Sequence, residues 1–388
     1  MLTSDDDVLQ AVRRRHELRV LDALAIHGTR TRRQLETDTN LSRTTLSAIV
    51  GDLRQNGVLA EHDQLIHAPG RSGRPTKVLS LNPKTCAAVG IELGRRRISI
   101  TVTGFDGSRV THESAQIPGT LALQEKVQHA ATMLRELISS GAITAETVIG
   151  MGVGIASRHA NPHSLSDGVQ QQSDPEGASL QPLRDELAVP LLWDNNIRLA
   201  AMSYVKSNDN LLYAALSAGV SCAVVSNGRL LRGANGTAGE LGHVSVDFAG
   251  PVCWCGRRGC LESYINESNV LLESARRGQT FDSIAAMAKA AADGNSIARS
   301  VVDWAAELLA RAISGACVLL DPSRVVIAGE LSQFGEQLLV PIRNALAEQS
   351  LDIGPRSTDI STAVFAVAAG SDGAAQMVLK HWATSNQS

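Results

Sequence analysis

Three cysteines lie within eight residues of one another, at Cys253, Cys255 and Cys260. Two cysteines separated by a single residue do not readily form a disulfide with each other, and the glycines in this segment allow the loop to fold round an ion. His243 lies ten residues before the first cysteine, and structural zinc takes four cysteine and histidine ligands. The sequence therefore predicts a structural zinc site of His243, Cys253, Cys255 and Cys260. The alternative is a loop with three reduced cysteines.

The remaining cysteines, Cys86, Cys222 and Cys317, are scattered among apolar residues, and we expect small buried side chains there. One tight cluster indicates metal binding rather than disulfides, as in a reducing compartment. The first ten residues, MLTSDDDVLQ, are acidic and lack the apolar segment of a secretory signal. No apolar run approaches the roughly 18 residues of a membrane span. We therefore expect a cytoplasmic protein without a membrane partner.

The charges are unevenly distributed although their sum is only −3. Residues 13–77 contain 12 Lys and Arg against 7 Asp and Glu, whereas residues 81–388 contain 24 against 29. A basic module followed by an acidic body favours a nucleic-acid partner for the module. We expect a DNA-binding domain over residues 1–80 and a sensor domain over residues 81–388.

Residues 13–68 are predicted to form a winged helix-turn-helix. Two short helices with apolar stripes precede a third helix, which starts at Ser42, a favourable N-cap residue. Residues 58–60 and 65–67 are then expected to pair as a hairpin across residues 61–64. The order of helix, helix-turn-helix and hairpin is typical of DNA-binding heads.

The N-terminal residues of the third helix are the candidates for DNA contact, because this part of a recognition helix enters the major groove. They are small or basic and can bond to phosphates or base edges. The candidates are Ser42, Arg43, Thr44, Thr45 and Ser47. The partner would be a double-stranded DNA operator. The alternative is a small helical packing module with solvated charges.

A stretch that disfavours regular structure follows, Gly70-Arg71-Ser72-Gly73-Arg74-Pro75. It is either a plain linker at the end of the DNA-binding domain or an arm that places Arg71 or Arg74 in a minor groove. The sequence leaves both interpretations open.

From about residue 86 the pattern changes to alternating strands and helices. Strands are predicted near 89–93, 98–102 and 148–155, with a hairpin turn at 105–108 and a helix over 121–137. A second set follows, with strands at 211–216, 222–226 and 325–327 and a long helix over 298–320. The pattern indicates two α/β lobes with a cleft between them. We expect one lobe over about 81–195 plus the C-terminal helix, and the other over about 196–370.

Two segments carry a specific resemblance. Gly233-Ala-Asn-Gly-Thr-Ala-Gly-Glu240-Leu-Gly-His243 and Cys253-Trp-Cys255-Gly-Arg-Arg-Gly-Cys260-Leu-Glu262 closely resemble the signature of the ROK family, which comprises bacterial sugar kinases and sugar-responsive repressors. The N-terminal winged helix and the Gly-Arg-Pro segment resemble the repressor branch. Segments 321–329 and 373–375 resemble the late strand and the closing helix of the family.

The resemblance implies an actin-like, hexokinase-like fold of two lobes that hold a sugar. It places the sugar-binding positions on Asn195, Glu240, His243 and Glu262. Carboxylate and amide groups suit vicinal hydroxyls, which both donate and accept hydrogen bonds. His243 would use one ring nitrogen for zinc and the other for a sugar hydroxyl, so the metal would fix its orientation.

Three departures from the family's kinases indicate a protein that is not an enzyme. Asn196 stands where the kinases have the aspartate base, and a carboxamide cannot take a proton as a carboxylate does. The first phosphate loop reads Glu92-Leu-Gly94-Arg95-Arg96-Arg97, and the second, at residues 217–222, lacks the glycine-rich pattern. We expect a repressor-type regulator, acting as a homodimer or homotetramer, with a sugar-like effector. The alternatives are a sugar kinase with a DNA-binding head and a ligand-independent DNA-binding regulator.

Overall fold

The computed structural model describes residues 27–64, 76–82, 86–105, 107–155, 180–205, 209–348, 358–363 and 368–385, and, nearer the N-terminus, 12–13, 15–17, 19–21 and 23–24. The chain divides into two compact units. The first contains most of the chain up to Asp194 together with Gly370–Ser388, and the second contains Asn195–Ala369.

The first unit begins with the predicted helices. The described residues between 12 and 24 are helical, and helices α1 (Arg32–Thr39) and α2 (Arg43–Gln55) follow. Helix α1 starts with a capping box, in which Thr31 and Gln34 bond to each other's backbone N–H groups. The buried residues of α2 repeat at helical spacing and face the apolar core of the N-terminal domain, residues 1–80, which is called the head below. They are Leu46, Ile49, Val50 and Leu53.

The wing differs from the prediction. Strand β1 (Leu59–Gln64) pairs antiparallel with β2 (Thr76–Leu81). Residues 61–64 were expected to form the turn but continue the first strand, and residues 65–67 lie outside the described part of the chain. Glu61 lies among three cations, Arg32, Arg54 and Lys77, at 3.5, 3.0 and 3.9 Å. These ion pairs let a polar segment form a strand on an exposed ribbon.

The pairing also changes the place of Arg71 and Arg74. Because β2 begins at Thr76, the segment 70–75 lies in sequence between the two strands of the wing and not after them. Both arginines lie outside the described residues. Strand β2 further anchors the wing, since Leu79 and Arg30 exchange backbone hydrogen bonds of 2.7 and 2.9 Å.

A five-stranded sheet forms the rest of the first unit, in the order β5-β4-β3-β6-β7. Strands β3, β4 and β5 are antiparallel neighbours, and β6 runs parallel to β3. One face packs on a long helix through a continuous apolar core that includes Ile98, Ile100 and Leu134. The elements are β3 (Cys86–Leu93), β4 (Arg97–Gly104), β5 (Arg109–Gln116), α3 (Leu123–Ser139), a 3-10 turn (Ala145–Thr147), β6 (Gly150–Ile155), α4 (Gln181–Glu186) and β7 (Leu191–Asn195).

The second unit repeats this sheet order. Its strands lie in the order β10-β9-β8-β11-β12, with β8, β9 and β10 antiparallel and β11 parallel to β8 and β12. The elements are α5 (Asn196–Ser203), β8 (Leu211–Leu216), β9 (Val220–Ser226), β10 (Arg229–Leu230), 3-10 turns (Leu241–His243, Glu330–Phe334), α6 (Glu262–Ile265), α7 (Glu267–Arg276), α8 (Ile284–Ala292), α9 (Ser296–Leu320), β11 (Arg324–Ala328), α10 (Glu336–Glu348) and β12 (Asp359–Thr362).

Apolar residues cover both faces of this second sheet, as parallel strands require. The predicted long helix is confirmed as α9, whose apolar face joins the core. Cys222 and Cys317 are buried as expected. The side chain of Cys86 is not among those that the structure describes. Among the described helices, none is both long and apolar enough to cross a membrane.

The C-terminal helix α11 (Ala369–Ser385) returns to the first unit and packs against the backbone of its sheet. A Cβ atom on Gly90 would lie 1.9 Å from the carbonyl oxygen of Ser371, and one on Gly152 would lie 2.2 Å from that of Ala374. Glycine is therefore required in β3 and β6, because any side chain there would push the helix away.

The same helix joins the apolar core of the N-terminal domain. Ala375 and Val378 belong to one buried cluster with Leu21, Leu24 and the apolar face of α2. The ring of Trp382 lies 5.6 Å from that of Phe105 at the edge of this cluster. The head and the sheet therefore share one apolar core, and helix α11 contributes side chains to it.

Replacing Gly90 by alanine is expected to destabilise the first unit, because the added methyl group would overlap the backbone of α11. We expect a loss of about 2–4 kcal/mol in the free energy of unfolding, measured by chemical denaturation. Gly315→Ala is the matched control, since a Cβ there meets nothing within 4 Å, and alanine favours a helix by up to about 1 kcal/mol. Equal stability of the two variants would contradict this account of the packing.

Candidate functional site

Glycines press the loop before the cysteines onto strand β9. Gly239 has a φ of +96°, and a Cβ on it would lie 2.4 Å from the carbonyl oxygen of Cys222. Only glycine fits both constraints. The chain then forms the short turn Leu241–His243, with Glu240 at its start. This local geometry places the side chains of Glu240 and His243 beside the cysteine loop.

The four predicted metal ligands converge. One donor atom from each of His243, Cys253, Cys255 and Cys260 lies within 4.8 Å of all the others. The Cys253 Sγ atom is 3.7 Å from His243 Nδ1, and the Sγ atoms of Cys255 and Cys260 are 3.6 Å apart. A tetrahedral zinc ion with bonds of about 2.0–2.3 Å separates its ligands by roughly 3.5–3.8 Å. The residues present therefore fit such an ion.

Two of the thiols differ in acidity. Burial by itself raises the pKa of Cys253. Its sulfur also accepts hydrogen bonds, and the one from the Cys255 backbone N–H has the largest effect among them. Together these hydrogen bonds outweigh burial and lower the pKa to about 7. Burial raises the pKa of Cys260 to about 12, and its contacts with the neighbouring thiols act in the same direction. The cluster thus already favours one thiolate, which is the form that ligates metals.

Trp254, between two of the cysteines, links the cluster to Glu262. Its ring packs edge-on against His243, with 4.8 Å between the centroids, and its Nε1–H donates to Glu262 Oε1 at 2.6 Å. The backbone N–H of Val220 donates to the other oxygen of Glu262 at 3.1 Å. Sequence reasoning missed Trp254, although an aromatic residue between two ligands of one ion was a usable signal.

The predicted sugar-binding residues lie in two places. Glu240, His243 and Glu262 surround the cysteine loop, and His243 Nε2 is 4.0 Å from Glu240 Oε2. Asn195 lies at the start of helix α5, where its Oδ1 accepts the Ile197 backbone N–H at 2.8 Å. Glu240 is exposed, whereas Glu262 is partly buried and held by two donors. The cluster thus presents a carboxylate, an imidazole and a second, fixed carboxylate.

Asn196 and Glu92, which lie in segments where the sequence departs from the family's kinases, are both buried. Asn196 is the first residue of α5 and is buried. Glu92 accepts the backbone N–H of Gly370 at the start of α11, and a Cβ on Gly370 would lie 2.5 Å from its carboxyl carbon. Burial raises the pKa of Glu92 to about 7, although the charge of Arg97 opposes the rise. The carboxyl group is therefore engaged with the C-terminal helix.

Five of the candidate DNA-binding residues lie at the cap and in the first turns of α2, whereas the other two, Arg71 and Arg74, lie outside the described residues. Ser42 is the N-cap, and its Oγ accepts the Thr45 backbone N–H at 3.2 Å and lies 2.8 Å from Thr45 Oγ1. Arg43, Thr44 and Ser47 are exposed. The two groups have different tasks, because the hydroxyls of Ser42 and Thr45 fix the helix start while the other three side chains point to solvent.

Comparisons with known proteins agree on the family. The model of the ROK family matches residues 88–381. The xylose repressor of Caldicellulosiruptor bescii is 23% identical over 80% of this chain and 82% of its own length. The DNA-binding transcriptional dual regulator NagC of Escherichia coli is 26% identical over 84% of this chain and 82% of its own.

Solved structures confirm the two-lobed, actin-like fold. A ROK family transcriptional regulator, a homologue of the Escherichia coli MLC protein, superposes with a TM-score of 0.68 at 21% identity and covers 96% of this chain and 98% of its own. The ROK hexokinase from Thermus thermophilus gives a TM-score of 0.59 at 22% identity and covers 74% of this chain and 97% of its own.

Removing the carboxyl group of Glu92 should change how stability depends on pH. Because its folded pKa of about 7 lies above the ordinary value near 4.5, the folded state binds the proton more tightly, and the parent loses stability as the pH rises between these values. Relative to the parent, Glu92→Gln should gain up to about 3 kcal/mol between pH 5 and pH 8, measured by denaturant unfolding.

Glu113→Gln is the control, since Glu113 is exposed on β5, and it should follow the parent at every pH. A pH dependence of Glu92→Gln that matches the parent's would show that the carboxyl group titrates at its ordinary value.

Proposed function

The chain belongs to the ROK family, and from this we propose that it is an operator-binding transcriptional repressor that responds to a sugar-like effector and has no kinase activity. One observation carries the proposal. A helix-turn-helix with a wing precedes the ROK part and shares its core. A sugar kinase has no need of such a head.

The comparisons support this choice. The repressors match at least four-fifths of this chain, and the regulator's structure covers 96% of it, whereas the hexokinase covers 74%. The regulator's structure thus covers about a fifth more of this chain than the hexokinase does, which is close to the share that residues 1–80 make up. At 21% and 22% identity the solved structures support only the fold. The proposed role in transcription therefore rests on the head together with membership of the family.

We propose that α2 binds the major groove through Arg43, Thr44 and Ser47, with Ser42 and Thr45 holding the helix start. A guanidinium can bond to a phosphate or to a guanine edge, and hydroxyls bond to either. Arg71 and Arg74, between the wing strands in sequence, would add minor-groove or phosphate contacts. A homodimer or homotetramer would present two heads to two operator half-sites.

Kinase activity is disfavoured by what replaces the catalytic groups. Asn196 cannot act as the base, and Glu92 is hydrogen-bonded to the start of α11 beneath the Gly370 backbone. The proposed effector would instead bind to Glu240, His243 and Glu262, with Asn195 as a further candidate. A ligand that prefers one conformation of the sensor shifts the population of DNA-binding states.

We propose that His243 Nδ1 and the three cysteine sulfurs hold zinc. When bound, the ion would serve as a structural cross-link and would fix the histidine tautomer. With Nδ1 bound to the ion, Nε2 would carry the ring hydrogen and could donate it to a ligand hydroxyl beside Glu240, whose Oε2 is 4.0 Å away. Trp254 in turn orients Glu262, so one loop would orient two of the candidate ligand groups, His243 and Glu262.

The protein purified without added metal is expected to contain about one zinc ion per chain, measured by elemental analysis. Cys255→Ala should lose it and unfold at a lower temperature, because a structural ion stabilises only the folded loop. Cys317→Ala removes a buried cysteine outside the cluster and should keep its zinc. Equal zinc contents in the two variants, or none in the parent, would contradict the assignment.

Arg43→Ala should weaken operator binding by about 1–3 kcal/mol without lowering the melting temperature, since Arg43 is exposed. The operator would first be located by genomic footprinting, and affinity would then be measured by fluorescence anisotropy at fixed salt. Arg276→Ala removes the same charge from an exposed position in the second unit and should bind as the parent does. An unchanged affinity of Arg43→Ala would show that α2 is not the recognition helix.

Sugars added to the preformed operator complex separate the remaining functions. Release by xylose, glucose or N-acetylglucosamine that is lost in Glu240→Gln supports the sensor proposed here. A complex that no sugar releases supports a ligand-independent regulator, and ATP consumption with a hexose supports the kinase.

A further inference from the structure

Three cations from three different elements of the head converge on one carboxylate. Glu61, in β1, has its Oε1 3.5 Å from Arg32 Nη2, and its Oε2 lies 3.0 Å from Arg54 Nη1 and 3.9 Å from Lys77 Nζ. Arg32 is the first residue of α1, Arg54 lies in the last turn of α2, and Lys77 belongs to the wing strand β2. The helix-turn-helix and the wing therefore meet at these four residues, which are called the Glu61 cluster below.

The Glu61 cluster carries more positive charge than its own carboxylate can neutralise. Only 10% of the Glu61 side chain is exposed, whereas 40% of Arg32, 43% of Arg54 and 70% of Lys77 are exposed. Asp63 lies opposite Lys77 in the ribbon, but Lys77 Nζ approaches Glu61 instead. Among the residues that the structure describes, Glu61 is the only carboxylate that forms an ion pair with any of these cations. Three exposed cations thus surround one buried anion.

Arg32 occupies a position that its own helix disfavours. The N-terminal end of α1 carries the positive pole of the helix dipole, where acidic side chains are stabilising and basic ones are not. The first turn of α1 contains no acidic residue, and both Arg32 and Arg33 lie in it. The sequence therefore places cations where helix stability alone disfavours them, which is typical of functional sites.

The Glu61 carboxylate orients the cations without saturating them. Two guanidinium groups and an ammonium group have about 13 N–H donors in all, whereas a carboxylate offers about four lone-pair positions. The closest contact of each arginine with Glu61 is made by one terminal nitrogen. The exposed side of the cluster can therefore bind further anions while Glu61 stays in place.

Helix α2 links the cluster to the proposed recognition residues. Arg43 and Arg54 are both exposed and are separated by about three helical turns, so they lie on the same side of the helix, about 16 Å apart along its axis. The major groove of B-DNA is about 12 Å wide, and phosphates border it on both sides. A helix that crosses the groove with Arg43 inside it therefore carries Arg54 beyond the edge, to the level of the phosphates.

We propose that Arg32, Arg54 and Lys77 bind phosphate groups of the DNA backbone beside the operator's major groove, and that Glu61 positions them. This inference rests on the proposed function. A DNA strand offers one negative charge per roughly 3.4 Å of helix axis, which is the continuous row of anions that cations on two helices and a wing strand can bind together. Phosphate contacts fix the position of a protein on DNA but read no sequence, so the cluster contributes affinity while Arg43 contributes specificity.

The test is the salt dependence of DNA binding by the full chain, measured by fluorescence anisotropy with the footprinted operator and with an unrelated duplex of the same length. Arg54→Gln and Lys77→Gln should each weaken binding to both duplexes several-fold, because phosphate contacts do not depend on sequence. Each variant should also reduce the slope of log K against log salt concentration by about 1, and the double variant by about 2, since each contact releases about one counterion.

Arg13→Gln is the matched control in the same domain. Arg13 pairs with two carboxylates, Glu17 and Asp52, so its charge is already neutralised within the protein. This variant should keep the affinity and the salt slope of the parent. Arg43→Ala, in contrast, should lose more affinity for the operator than for the unrelated duplex, because base contacts depend on sequence.

Three results would overturn the inference while the proposed function stands. They are salt slopes of Arg54→Gln and Lys77→Gln equal to that of the parent, an equal change of slope in Arg13→Gln, and a loss of affinity confined to the operator. A parent protein that binds neither duplex would overturn the proposed function as well. If Arg54→Gln does not fold, Lys77→Gln makes the same test alone, since this side chain lies largely exposed on the wing.

Discussion

Helix α11 rests directly on the backbone of β3 and β6, and the arrangement of the first unit depends on this contact. Gly90 and Gly152 leave room for the Ser371 and Ala374 carbonyl groups at distances that no other residue allows. Close backbone approach maximises dispersion contacts and excludes water from the polar groups at the helix start. Further along, Val378 completes the core of the head. The last helix of the chain therefore joins the first domain to the sheet.

The loop that carries Cys253, Cys255 and Cys260 has a comparable role in the second unit. Trp254 lies between two candidate ligands of the metal, contacts a third, His243, and donates to Glu262. A tryptophan side chain has few rotatable bonds, so the position of Glu262 follows that of the loop at a small cost in entropy. Supporting contacts of this kind hold binding groups in a fixed geometry before the ligand arrives. The proposed metal and effector sites would thus share one element.

The features that depend on residues close in sequence were predicted correctly. The features that depend on contacts between distant parts of the chain were missed. Ser42 as an N-cap and the cysteine spacing each act within a few residues, and the structure has them in place. The wing was predicted wrongly because its second strand pairs across an intervening segment of eleven residues, and the polar run 61–64 resembles a turn. No local pattern indicates that Glu61 will find three cations there. The metal ligands were readable because their spacing alone brings them together, whereas the burial of Glu92 depends on a helix nearly 280 residues later in the chain.

Glu92 illustrates how a family position can change its task. The carboxyl group lies under Gly370, at the start of α11, and burial at this place favours its neutral form near pH 7. The start of the helix thus holds this carboxyl group. Trp382 lies twelve residues further along the same helix, about 18 Å away, beside the core of the head. The sheet of the first unit is thus fastened, through a buried carboxyl group and a pair of glycines, to a helix that also packs against the N-terminal helices.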